Sequence, residues 1–311
     1  MNTDLSPEAV EYGHTARRAL GAAGGDELAH TGTGERDGRH VAKVLTDLGA
    51  WDLDPRGSAE ELEAAAALCR SAGWWAVPHP VAERVARPRD VEADALVVVA
   101  GDGSPSVIAE AVAALPLRWV AVDLGGRRGI ATPQPDAAPI GTPGVAVPLD
   151  LAPLDDGGAG DVALGLVLPC WTLLGLLDRA VDLTADHVRA RHQFGQALSS
   201  FQGVQFQLTD AEVERLGVEE LAKHALWSIA AGRPDAVADA LALRLAAVEA
   251  AEVVFRITHQ LHGAIGFCDE TALSWLSRAG QPLRRLPLGP SATRAALTER
   301  LGRRGLSGLF S

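Results

Sequence analysis

RHQFGQALSSFQGVQ, Arg191–Gln205, is a polar corner between two long helical patterns, and its reading decides the fold. Upstream, Val162 to Arg191 is apolar all round in its first half and amphipathic in its second, which predicts a helix at the centre of a bundle. Downstream, Ser199 to Ala231 reads as a second helix, stopped by Gly232-Arg233-Pro234. Residues Pro234 to Gly263 form a third, with Pro234 at a first-turn position. A shorter helix around Glu270 to Arg278 and a last one after Ser291 complete the set. Long helices with short connections predict an antiparallel bundle.

The corner itself has two readings. In the first, Gly195 caps the helix ending HVRARHQF, Arg189 and Arg191 complement its negative end, and Ser199 with Gln202 forms a capping box for the next helix. No ligand is needed. In the second, Arg191, Gln193, Phe194 and Gln202 converge on an anion and a flat ring. An Arg fork suits phosphate oxygens, and the N–H groups opening a helix favour anions. HQLHGAIGFCDE, His259 to Glu270, repeats the ambiguity. Gly263 and Gly266 fit left-handed caps, or small residues that let backbone approach a cofactor while Gln260 donates amide hydrogen bonds. His259, His262 and Cys268 lack zinc-type spacing, so no metal is expected.

Outward from these stretches the chain divides in three. Residues 1–90 read as short helices, including HVAKVLTDLGAW and SAEELEAAAALCRSAG, the latter opened by a Ser58–Glu61 capping box and ended by Gly73. Residues 91–157 contain two convincing strand signals, ADALVVVA and RWVAVDL, followed by a Pro- and Gly-rich run read as turns, edge strands and a linker. That predicts a region too thin for a full sheet domain. Residues 158–311 carry the bundle.

Composition bounds the rest. The chain has 311 residues, 47% hydrophobic and 22% charged, as a folded protein does. A net charge of −12 excludes a nucleic-acid or anionic-membrane surface, because both need clustered cations. Cys69, Cys170 and Cys268 form no disulfide framework, and MNTDLSPEAVEYG has no signal-peptide pattern. The longest apolar run, Val162 to Leu177, is shorter than the roughly 20 residues a membrane span needs. A soluble, cytoplasmic protein with no membrane contact is expected.

The two glycine-containing stretches, in this order and at two helix ends, resemble the C-terminal domain of the acyl-CoA dehydrogenase family. Arg191, Gln193, Phe194, Gly195 and Gln202 match its R-x-Q/T-F-G motif and the F/H-Q that follows. Gln260, Gly263 and Gly266 match Q-x-x-G-G-x-G, with Ala264 in place of the second glycine. The resemblance covers residues 160–303 well and is weaker before them. It implies a mainly α fold with an abbreviated N-terminal helical domain and a residual β region. It also implies that Arg191, Gln193, Phe194, Gln202, Gln260, Gly263 and Gly266 bind the phosphate and adenosine side of FAD across a subunit interface. The T/S-E-P motif and the strands after it, which in the family cradle the flavin ring, are absent.

The catalytic base implied by the resemblance is a glutamate at one of two positions. One falls here on Leu286, Pro287 or Leu288, and the other on Gly165. None of these can take a proton; Asp161 lies a helical turn from Gly165, and Asp269 and Glu270 are also nearby in sequence. The resemblance therefore implies a non-catalytic subunit of a heteromeric (α2β2) actinobacterial acyl-CoA dehydrogenase. Its partner subunit would carry the glutamate, FAD would be shared, and the substrate would be an acyl-CoA, by analogy a steroid side-chain thioester. Two alternatives stay open: a self-sufficient dehydrogenase with an unrecognised base, and a flavin-free helical scaffold.

Overall fold

The computed structural model describes every residue except 1–2, 29–34, 102–105, 135, 137–144 and 305–311. Part of the MNTDLSPEAVEYG start and most of the proline-rich run before Val145 therefore lie outside the described residues. Helices α1 (Pro7–Ala22), α2 (Glu35–Asp47), α3 (Ala59–Trp74) and α4 (Val81–Val85) come first. Strands β1 (Ala95–Val99) and β2 (Val107–Ala109), the single turn α5 (Glu110–Ala113), and strands β3 (Trp119–Asp123), β4 (Arg128–Pro133) and β5 (Ala146–Asp155) follow. The long helices are α6 (Ala159–Ala190), α7 (Gln202–Ala230) and α8 (Ala236–His262), with a hairpin of β6 (His192–Gln193) and β7 (Gln196–Ala197) after α6. Helices α9 (Ala272–Ala279), α10 (Gln281–Arg285) and α11 (Pro290–Arg304) close the described chain.

Helix α6 is the axis of the molecule, as its all-round apolar first half predicts. It is the one helix among the described residues long and apolar enough to cross a membrane, and 78% of its most apolar window is buried within the protein. Helix α3 crosses it at backbone contact. A Cβ on Gly73 would sit 1.9 Å from the Thr172 carbonyl oxygen, and one on Gly175 would sit 2.0 Å from the Arg70 carbonyl oxygen. Gly73 is thus a close-packing residue inside α3 and not the helix end expected of it; the helix runs one residue further. The crossing puts N-terminal residues such as Leu62 and Leu68 into one hydrophobic core with Leu174, Leu226 and Phe255. Arg70 also joins Asp178 (2.6 Å) and Glu219 (2.9 Å), while Arg215 joins the same two carboxylates at 2.9 and 2.8 Å. Burial alone would raise the Glu219 carboxyl, but the bonds and charge of Arg70 and then Arg215 outweigh it and hold its pKa at about 2.

The middle region departs from expectation. It forms a five-stranded sheet in the order β1-β3-β4-β5-β2, with β1 parallel to β3 and the other pairs antiparallel. The two anticipated strands, β1 and β3, are its buried members. The others escaped notice for a physical reason. Strand β5 carries Pro148 and Pro153, and its last six residues are exposed, so it shows neither β-branched enrichment nor clean alternation.

Two helix starts also shift. A 3-10 turn at Leu198–Ser200 precedes α7 and leaves extended Phe201 at its N-cap, so Ser199 and Gln202 form no capping box. Pro234 lies in the turn before Asp235, ahead of α8 instead of within its first turn. Ser58 does cap α3, accepting the Glu61 N–H at 3.2 Å.

Candidate functional site

Helix α6 ends at Ala190, and Arg191 turns away in extended conformation. Residues His192 to Ala197 then form a two-residue hairpin whose corner is Phe194 (φ 53°) and Gly195 (φ 83°). Gly195 is therefore a hairpin-turn glycine and not a helix cap. Two successive left-handed residues suit the right-handed strand twist of a tight hairpin. For phenylalanine, however, that conformation is rare, and here it holds out a ring that is 90% exposed. Only the edge of Phe201 meets it, with centroids 6.2 Å apart. A strained, solvent-facing aromatic is costly to a lone domain and points to a use.

The second stretch lies at the same end of the bundle. His187, one turn before the hairpin, stacks on His262, the last residue of α8, with ring centroids 4.3 Å apart. Burial, and then Arg191, lower the His187 pKa. Burial also lowers that of His262, with smaller contributions from His187 and His259, against the opposing Thr258 carbonyl. The pair is therefore a neutral stack at pH 7. Gly263 does cap α8 with a positive φ of 68°, but its ψ of −150° lies outside the left-handed helical region expected of it, in backbone space that favours glycine. Gly266 does not; it sits in a 3-10 turn where a Cβ would come 2.8 Å from that of His262, so the site demands smallness. Beside it His259 stacks on Phe267 at 4.4 Å, flooring an open groove of about 640 Å³ lined also by Gln260, Arg256 and Arg284.

Arg191, Gln193, Phe194, Gln202, Gln260 and Gly263 are exposed, and Gly266 is buried. The side chains of Arg191, Gln193, Gln202 and Gln260 make no hydrogen bond to protein among the described residues. Exposed donors, a forked cation, an uncovered aromatic ring and the first-turn N–H groups of α7 make a surface suited to a phosphate-bearing aromatic ligand.

A second feature lies deeper. An apolar cavity of about 360 Å³ is bounded by α4, β1, β2, α6 and the segment 275–287. Gly165, Leu286 and Pro287, where the glutamate was sought, all line it. At Gly165 a Cβ would lie 2.6 Å from Val98 Cγ2 and 3.3 Å from Leu96 Cδ2, so β1 occupies the room a side chain needs. Leu288 is buried outside the lining, where its carbonyl accepts from Arg244 Nη2 at 2.8 Å. Arg244 Nη1 also donates to the Leu283 carbonyl at 3.2 Å, fixing the wall from both ends.

None of the carboxylates near in sequence reaches this cavity. Asp161 is buried between Arg56 and Arg128. Asp269 is an exposed partner of Arg278 at 2.5 Å, and Glu270 is exposed. Among the described residues lining the cavity, the one carboxylate is Glu83 of α4. Sequence reasoning passed over it because no motif surrounds it. The available signal was an acid followed by Arg84 in the otherwise apolar turn PVAERVA.

Residues 167–297 match the family model "Acyl-CoA dehydrogenase, C-terminal domain". The chain is 34% identical over 117 residues to acyl-CoA dehydrogenase FadE28 of Mycobacterium tuberculosis, covering 38% of this chain and 34% of that protein. Its fold is similar to a chain of the ChsE4-ChsE5 complex from Mycobacterium tuberculosis, with TM-score 0.73 and 17% identity over 98% of this chain and 100% of that one. It is similar also to a chain of the Tcur3481-Tcur3483 steroid ACAD, with TM-score 0.69 and 19% identity over 95% and 98% of the two chains. The curated relatives are only partly spanned, with matches covering from 26% to 48% of their lengths.

Proposed function

We propose, on the premise of the match of residues 167–297 to the C-terminal domain of the acyl-CoA dehydrogenase family, that the chain is a member of that family and the non-catalytic subunit of a heteromeric acyl-CoA dehydrogenase. The reaction served is α,β-desaturation of a CoA thioester. FAD, when bound, accepts hydride from the β-carbon while a carboxylate removes the α-proton. One observation carries the reading: both family positions for that carboxylate, Gly165 and Leu286–Pro287, line a single cavity and are non-ionisable.

The end-of-bundle surface fits the cofactor's phosphate side. Arg191 would pair with pyrophosphate oxygens, Gln193, Gln202 and Gln260 would donate amide hydrogen bonds, and Gly263 and Gly266 keep the backbone accessible. Phe194 would cover the flat adenine. Because these groups face outward, the flavin they serve is shared with a partner subunit, which supplies the ring cradle and the glutamate.

Helix α7 supports an assembly. Its Ala211, Val218, Ala222 and Ala225 are buried in the bundle, yet Phe206, Val213 and Leu216 form an exposed stripe at 59%, 61% and 44%. A helix apolar on two faces needs a second surface to cover it. The similar folds found in ChsE4-ChsE5 and in Tcur3481-Tcur3483, the latter named a steroid ACAD, support a two-component enzyme acting on a bulky, steroid-type thioester. The division at residues 90 and 157 and a cytoplasmic location belong to the same proposal.

The test is co-expression with a glutamate-bearing acyl-CoA dehydrogenase subunit from the same organism. The chain alone should be colourless and inactive, with flavin and turnover appearing in the pair. Full flavin occupancy and turnover by this chain alone would overturn the proposal.

A further inference from the structure

Glu83 is the acid the fold does not explain. It lies on α4, whose Val81, Ala82 and Val85 are buried, and its carboxyl is deep beneath the surface. Yet the residue keeps intermediate solvent-accessible area, because that area faces the 360 Å³ cavity. Among the described residues it hydrogen-bonds to no other side chain, its one local contact being its own backbone N–H. Burial pushes its pKa up, and the nearby Cys69 thiol is pushed up by burial and then by Glu83.

Arg244, Arg278 and His79 of the lining each have protein partners. Arg244 holds two carbonyls, Arg278 pairs with Asp269, and His79 Nε2 accepts from Arg84 Nη1 at 2.9 Å. Burial and Arg84 hold His79 near pKa 4, so it is neutral. The rest of the cavity lining is predominantly apolar and includes Val97, Val98, Ile108, Val112, Leu166 and Leu286. A carboxyl kept in such a wall costs desolvation unless something in the cavity answers it.

We propose that Glu83 is a specificity residue, its carboxyl hydrogen-bonding to an oxygen on an otherwise apolar group held in this cavity. The ligand class is then an acyl or ring system bearing a carbonyl, hydroxyl or ether oxygen at a distance from its thioester. This rests on reading the cavity as the acyl site. A plain hydrocarbon chain would fill the space but leave the carboxyl without its partner. Among the described lining residues there is no second carboxylate, and His79 is engaged by Arg84, so Glu83 is assigned to recognising the ligand and not to turning it over.

The test uses two small probes of matched shape, 1-acetylnaphthalene and 1-ethylnaphthalene, titrated into the full chain by calorimetry. The quantity read is the ratio of the two affinities, which removes the hydrocarbon's greater hydrophobicity. Glu83→Leu should lower the ketone-to-hydrocarbon ratio by roughly three- to tenfold relative to wild type, the worth of one hydrogen bond. Glu83→Gln, whose amide still donates, should keep the ratio within about twofold of wild type. An unchanged ratio in Glu83→Leu would overturn the proposal, as would failure of wild type to bind either probe. Turnover of an acyl-CoA by wild type that disappears in Glu83→Gln would overturn it differently, by making Glu83 a base. Probe binding involves neither flavin nor partner, so the ratio can fail while the partner-subunit reading stands, and the converse.

Discussion

Arg191 can be removed without cost to the fold, since its guanidinium is exposed and binds no protein group among the described residues. Arg191→Ala should therefore leave thermal stability within the roughly 0.5 kcal/mol typical of surface changes. Flavin affinity of the two-subunit assembly should fall about tenfold or more, as expected for a charge-assisted phosphate contact. Equal flavin content in the variant and the parent assembly would favour a flavin-free scaffold. The stacked imidazoles make a pH prediction. Both His187 and His262 lie below the ordinary 6.5, so the folded state binds fewer protons than the unfolded chain near that value. Their stabilising contribution is complete above 6.5 and is lost as pH falls through the lowered folded values. Both midpoints should appear below 6.5 in an NMR titration, and His262→Phe should flatten the dependence of stability on pH in that window. At this scale the sequence was informative for residues with a motif and silent for Glu83. A lone acid becomes notable only when folding sets it in one cavity lining with Gly165 and Leu286, residues far from it in the chain.

At the level of elements, α3 and α6 depend on two glycines. Gly73→Ala puts a methyl 1.9 Å from the Thr172 carbonyl oxygen, and the backbone has nowhere to yield because Gly175 is in contact from the other side. The variant should lose about 3 kcal/mol, at the upper end for overpacking, read as a shift in the denaturation midpoint with unchanged slope. Gly175→Ala should behave alike. The helices of the bundle were legible because 3.6-residue periodicity over some thirty residues, as in α6, is a strong signal. Three-residue β2 and proline-bearing β5 were not, since each is a strand only by virtue of the partner it pairs with. The corner at Phe194–Gly195 was placed correctly but assigned the wrong geometry. A glycine after a helix is equally compatible with a cap and with a hairpin, and only Arg191's extended backbone distinguishes them.

For the whole molecule, three surfaces that look unrelated in the chain share one explanation. The hairpin carries an exposed phenylalanine, α7 carries an apolar stripe away from the bundle, and the deep cavity lacks an ionisable group at both base positions. A chain built to act alone would cover the first two and fill the third. A subunit completed by another chain needs none of that. The direct test of this account is the flavin stoichiometry and turnover of three preparations: this chain alone, a glutamate-bearing dehydrogenase subunit from the same organism alone, and the two co-purified. The account predicts no flavin and no turnover for this chain alone. It predicts bound FAD and acyl-CoA oxidation in the co-purified pair; changing the partner's glutamate to glutamine or alanine should abolish turnover and leave the flavin bound. One FAD per copy of this chain in isolation, together with acyl-CoA oxidation, would contradict it.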